Sequence, residues 1–205
     1  VACATCIAPT GIARPASRRP VGVAARSVQY TAREPRIRGF AKEHPMYKTK
    51  IDLPEKVRRN VITVLNNQLA EAIDLQSQVK QAHWNVKGPN FIALHELFDK
   101  ISDAVLEQID DIAERVTSLG GTAEGTVAVA AKRSKLKNYP LSITAGKDHL
   151  FYLSTQLASY GKAVRAAIDE TGKLGDADTA DLFTGISRTV DKYLWFVEAH
   201  LQDKA

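Results

Sequence analysis

The chain has 205 residues, 25% of them charged and 44% apolar, with a formal charge of +5. That balance fits one globular domain large enough to bury a core, and no run approaches the ~18 apolar residues of a membrane-spanning helix. The only cysteines, Cys3 and Cys6, stand at the N-terminus, so the body of the chain relies on no disulfide, and their CATC spacing has no second pair to complete a metal site.

The positive charge belongs to one end. Residues 1–45 hold eight of the 28 basic residues (Arg14, Arg18, Arg19, Arg26, Arg33, Arg36, Arg38 and Lys42) and only Glu34 and Glu43 of the 23 acids. The segment is rich in Ala, Arg, Pro, Ser and Val and has no helical apolar period, which is the composition of a flexible extension. Three readings of it stay open. It suits an organellar transit peptide, a basic arm that neutralises DNA phosphates, or an artefact of start assignment or expression upstream of Met46, the only methionine. The expected division is therefore a basic extension over 1–45 and a folded domain over 46–205.

Helix begins at Glu55. Val57, Val61, Val64, Leu65, Leu69, Ala72, Ile73 and Val79 recur at steps of three and four, with Pro54 as a helix-start residue and Gly88-Pro89 as the stop. Asn90 is placed to cap a second helix from about Phe91 to Leu119, closed by Gly120-Gly121. Residues 122–145 read as a connection with one short helix near Val127–Leu136. A third long helix is expected over about Gly146–Glu170, then a polar turn over Thr171–Asp178, then a fourth helix from near Ala177 to His200. No strand-like alternation appears. The predicted fold is all-α: a four-helix bundle with a short helix in the long connection between helices two and three.

The first inter-helix turn carries the chemistry. His83 and His95 lie at matching distances on either side of Gly88-Pro89, so an antiparallel pair of helices sets them at one height. Asp99 follows His95 by one turn, and Asp110 and Glu114 repeat the same spacing further along. At ~100° per residue, His95, Asp99, Asp110 and Glu114 fall at roughly 0°, 40°, 60° and 100°, whereas the apolar stripe centres near about −90°. Ile92, Leu106, Ile109 and Ala113 lie in or beside that polar stripe, so it is expected to be covered.

Length then constrains the site. His95 and Glu114 are ~28 Å apart along a straight helix, and Asp99 and Asp110 ~16 Å, so one ion in one chain cannot engage both groups. Either two incomplete sites exist, or a copy of the same helix runs antiparallel about a two-fold axis near Ala104-Val105 and completes two identical sites. Each residue taken alone reads more readily as packing or solvated surface; the five together, phased on one stripe, point to metal. Mixed imidazole and carboxylate ligands suit iron or another borderline first-row divalent ion better than magnesium or calcium, and the carboxylate-rich set favours redox iron over a closed structural zinc.

The run H-W-N-x-x-G-x-x-F-x-x-L-H-x-x-x-D from His83 to Asp99, with D-x-x-A-E-R-x-x-x-L-G-G from Asp110 to Gly121, resembles the Dps family, or mini-ferritins. D-T-A-D-L-F-T at Asp178 and D-K-Y-L-W-F-V-E at Asp191 extend the likeness from about Met46 to the C-terminus. The resemblance implies a ferritin-like bundle assembled as a hollow homo-dodecamer that oxidises Fe(II), preferentially with hydrogen peroxide, and stores ferric iron. It implies iron held by His83, His95 and Asp99 of one subunit and by Asp110 and Glu114 of another, with Trp84 beside the metal. It also matches Asp176, Asp178 and Asp181 to a pore that admits iron, although acids at a helix start need no such role. The expected setting is the cytoplasm, with no membrane partner; nucleoid association or organellar import hangs on residues 1–45. DNA is an expected partner only through that extension, because the rest of the chain holds 20 basic against 21 acidic residues. The alternative function is a non-enzymatic DNA-compacting protein with vestigial metal sites.

Overall fold

A computed structural model describes residues 45–202. Among them are five helices: α1 Glu55–Asn85, α2 Phe91–Ser118, α3 Val127–Arg133, α4 Gly146–Leu174 and α5 Ala177–Ala199. The only β feature among the described residues is an isolated bridge between Lys87 and Ala145. α1 packs along α2 and α4 along α5; α1 also meets α4, and α3 lies against α1. No described helix is long and apolar enough to cross a membrane.

The periodicity fixes which faces meet. Leu65, Leu69 and Leu75 of α1, Phe98, Ile101 and Ile112 of α2, Leu153 and Leu157 of α4, and Phe183 and Val190 of α5 are essentially inaccessible and form one core. Each such side chain contributes about 1.5–3 kcal/mol through removal from water, so truncating Leu69 to alanine should cost roughly 2–5 kcal/mol.

Helix ends follow their own chemistry. Gly120 takes φ +87°, and its N–H and that of Gly121 bond back to Thr117 and Val116 at 2.9 and 3.0 Å, closing α2 in a Schellman turn. A Cβ on Gly120 would stand 2.5 Å from the Tyr47 carbonyl oxygen, so glycine is required twice over. Buried Arg58 clamps this corner: its guanidinium donates to the carbonyls of Leu119 at 2.7 Å and Leu53 at 3.1 Å.

Several expected boundaries shift. The polar turn over Thr171–Asp178 is mostly helix, because Thr171 is buried and returns its hydroxyl to the Ala167 carbonyl at 2.7 Å; α4 ends only at Gly175, φ +89°. α3 stops at Arg133, three residues short of the expected end, where the Ser134 hydroxyl turns to Asp74 at 2.6 Å. α1 begins at Glu55 as expected, with Pro54 directly before it, whereas Asn90 holds the N-cap position of α2 without a side-chain cap bond. The division at residue 45 lies at the edge of the described residues, and residues 1–44 fall outside them.

Side chains fasten the long crossover that follows α3. Gln78 donates to the Lys137 carbonyl at 3.1 Å, the Tyr152 hydroxyl reaches the carbonyls of Lys137 and Asn138, and the Lys137 N–H donates to Gln156. These bonds satisfy backbone groups that neither helix nor sheet serves.

Candidate metal centre

The last turn of α1 and the second turn of α2 meet across the short connection. Their residues face one another as the matched spacing requires. The His83 and His95 rings stack with centroids 3.7 Å apart and planes 21° from parallel. Nδ1 of each imidazole lies 2.9 Å from the backbone carbonyl oxygen of the other histidine. A carbonyl oxygen only accepts, so each Nδ1 carries a proton and donates it. With Nδ1 so engaged, Nε2 is the nitrogen left to bind a metal. Locking one ring nitrogen on a carbonyl is how proteins orient histidine ligands.

Asp99 stands beside them, with one carboxylate oxygen 3.8 Å from His83 Nδ1. The same oxygen accepts from the Lys80 ammonium at 2.5 Å. That hydrogen bond is the main cause holding the Asp99 carboxyl below its usual range, with the charge of Lys80 and the two histidines adding to it. Lys80 went unnoticed in the sequence reading, although the signal was there. It precedes His83 by three residues and so shares its face of α1.

The other carboxylates are distant, as helix length demands. Asp110 and Glu114 are exposed on the outer face of the C-terminal half of α2, and among the described residues neither carboxylate has a hydrogen-bond or ion-pair partner. Asp110 joins Leu106, Ile109 and Ala113 in lining a shallow groove. Ile92 is 60% exposed, Leu106 54% and Trp84 67%, so the tryptophan is not a core anchor and this side of α1 and α2 carries a broad apolar surface. Among the described residues of one chain, no three or more His, Cys, Asp or Glu side chains gather closely enough to hold an ion.

The three acids near the start of α5 separate into two kinds. Asp176 is buried and caps the helix, accepting from the Thr179 N–H at 3.0 Å and from its hydroxyl at 2.6 Å. Arg115 of α2 donates to the same carboxylate at 2.8 Å. Asp176 is thus committed within its own chain. Asp178 and Asp181 are exposed, and Asp178 comes within 4.0 Å of Arg115. Arg115 stands in the sequence only as the arginine of the D-x-x-A-E-R motif, and nothing local to it signals its contact with Asp176.

A bundle of four long helices with a histidine–carboxylate cluster at one helix pair defines a ferritin-like protein, and residues 62–205 match the ferritin-like domain family. The chain is 48% identical over 159 residues to a DNA protection during starvation protein of Agrobacterium fabrum, covering 78% of this chain and 98% of that one. Among solved structures, DpsC from Streptomyces coelicolor superposes with a TM-score of 0.76 at 30% identity, covering 82% of this chain and 98% of that one. Dps from Mycobacterium smegmatis gives 0.73 at 31% identity, over 77% and 96%. The protein belongs to the Dps family.

Proposed function

We propose that this protein oxidises Fe(II), preferentially with hydrogen peroxide, and stores the ferric product inside a homo-dodecameric cage. The reading is carried by the His83–His95 pair, whose mutual carbonyl bonds through Nδ1 leave both Nε2 atoms to bind a metal, with the Asp99 carboxylate 3.8 Å from the His83 ring at Nδ1. Two imidazoles and a carboxylate form half of a first-row metal site. The other half comes from Asp110 and Glu114 of a second subunit, brought opposite by an antiparallel α2 about an axis near Ala104-Val105. The apolar surface of Trp84, Ile92 and Leu106 supplies the contact that such a pairing buries.

The residues have separable tasks. His83 and His95 bind the ferrous substrate, for which imidazole is a good ligand, and the carboxylates favour the harder ferric product. Peroxide takes up two electrons in becoming two waters, so two ferrous ions must be oxidised together to avoid releasing hydroxyl radical. Consuming Fe(II) and peroxide at once removes both ingredients of DNA damage. That fits the name given to the Agrobacterium relative. We place this activity in the cytoplasm, and we assign Asp178 and Asp181 to a passage that draws in cations.

The test is anaerobic. Two equivalents of Fe(II) per site mixed with one of peroxide should yield ferric absorbance with little spin-trapped hydroxyl radical. Ferric product accompanied by one radical per peroxide would refute the paired chemistry and favour a DNA-compacting protein whose ligands are vestigial.

A further inference from the structure

Behind the candidate centre, on the bundle side of the same two helix segments, lies a second polar pair. The Tyr139 hydroxyl is hydrogen-bonded to Nδ1 of His149, with the rings 20° from parallel. His149 is fully inaccessible, and its ring lies edge-on to Phe98, centroids 6.4 Å apart. Phe98 immediately precedes Asp99. The backbone carbonyl of Asn85, two residues beyond His83, faces the His149 ring together with that of Thr144. Tyr139 packs its other side on the ring of Tyr152 at 4.9 Å.

A buried phenol on a buried imidazole need be no more than a staple between the crossover and α4. The surroundings specify more than that. A phenol that donates to Nδ1 leaves the ring proton on Nε2, which is buried and has no hydrogen-bond partner of its own among the described residues. Nδ1 is then a bare base aimed at the phenol, and the phenol donates. Burial pushes the Tyr139 hydroxyl well above its ordinary range and the His149 imidazole below its own, so both groups rest neutral. Asp148 and the two carbonyls act the other way, favouring a charged imidazole once a proton arrives.

We propose that Tyr139 and His149 form a proton-coupled redox pair that quenches stray one-electron oxidants produced at the metal centre. This rests on the peroxide chemistry proposed above. When a hydroxyl radical escapes the paired reaction, Tyr139 gives it one electron and the radical becomes hydroxide. The phenolic O–H bond breaks, its proton moves to Nδ1 of His149, and a neutral tyrosyl radical remains beside an imidazolium. A later Fe(II) returns the electron, the proton goes back to the phenol oxygen, and Fe(III) is the product. A one-electron oxidised phenol is a strong acid, so a waiting base is what the step needs; His149 supplies it with no solvent involved.

The experiment uses the full assembled protein in two arms. In one, Fe(II) and peroxide are mixed and freeze-quenched for electron paramagnetic resonance, while ferric absorbance is followed in the same mixture. In the other, iron-free protein is oxidised by a photogenerated ruthenium(III) complex. In both arms Tyr139→Phe should remove at least half of the neutral tyrosyl signal, and Tyr152→Phe should not. His149→Leu should lower the Tyr139 component at least fivefold in the iron-free arm. Should that variant not fold, Tyr139→Phe decides alone, since it removes one hydroxyl and keeps the ring packing. A tyrosyl signal unchanged in Tyr139→Phe overturns the pair, as does ferric absorbance with no tyrosyl signal in either arm. Missing ferric absorbance together with a Tyr139 signal in the iron-free arm supports the pair and refutes the iron-oxidising reading instead.

Discussion

His83 and His95 are each held by the other's backbone: each imidazole donates to the opposite carbonyl oxygen at 2.9 Å, so neither ring is oriented without its neighbour. Removing either one loosens both. The double variant His83→Ala/His95→Ala should therefore assemble but lose most rapid oxidation, as should Asp110→Ala/Glu114→Ala. Co-assembly in equal amounts is the decisive measurement. Random pairing makes half of the two-fold contacts mixed, and each mixed contact holds one intact site, so about a quarter of all sites should recover. No recovery, with mixed assemblies confirmed by mass, would count against sites shared between subunits.

With Asp99 as the proposed metal ligand, Lys80 would compete with the metal for it. Its ammonium already occupies the carboxylate oxygen nearest His83, and an incoming cation must displace it. Lys80→Gln should tighten binding of a redox-silent probe such as Zn²⁺ by about tenfold, the scale of one charge-assisted hydrogen bond. Calorimetric titration reads this directly. Weaker binding in the variant would instead make Lys80 an organiser of the site.

The acids of α5 should behave differently from one another. Asp178→Asn with Asp181→Asn should slow iron uptake at limiting Fe(II) and leave stability within about 0.5 kcal/mol, because both side chains are exposed. Asp176→Asn removes a helix cap and half of a buried ion pair. It should cost roughly 3 kcal/mol, the lower end for such a pair because Arg115 keeps some solvent. Denaturant unfolding compared with uptake kinetics separates the two effects. Uptake unchanged in the exposed double variant would leave these acids as simple helix-end charges.

Glu71 gives stability a pH dependence. It is almost fully buried on α1, and burial is the main cause raising its carboxyl above the ordinary 4.5; Asp74 adds to this and Lys135 opposes it. A group whose folded pKa is raised binds its proton more tightly in the native state. Stability is then lost as pH rises through the folded value. Glu71→Gln escapes that loss, so its thermal midpoint should exceed the parent's by more at about pH 8 than at about pH 5. A constant difference across that range would mean that Glu71 is not the group responsible.

Any DNA binding should reside in residues 1–45. The full chain should retard DNA at low salt and release it steeply as salt rises, whereas a chain shortened to begin at Met46 should bind far more weakly. Equal retardation by both would rule the basic segment out.

Much of the architecture could be read from apolar spacing, because four helices with one wet and one dry face leave a period of 3.6 in the sequence. The histidine pair was legible for a related reason: a short connection fixes the relative height of residues equidistant from it. What stayed hidden depends on contacts between distant segments. The extra turn of α4 requires Thr171 to be buried by neighbours, and no local pattern announces that. The role of Asp176 requires Arg115, 61 residues earlier, to arrive at its carboxylate. The Tyr139–His149 bond arises from a crossover that side chains fasten down, and its sequence shows neither helix nor strand period.

On the shared site proposed above, the separation of His95 from Glu114 along α2 also sets the kinetic order of the chemistry. A single subunit would hold every ligand type yet no complete set, and oxidation would begin only where two copies have met. At subunit concentrations low enough for pairing to be incomplete, the initial rate should therefore grow with the square of concentration. Insoluble ferric product would then be formed only where a container for it is already under construction.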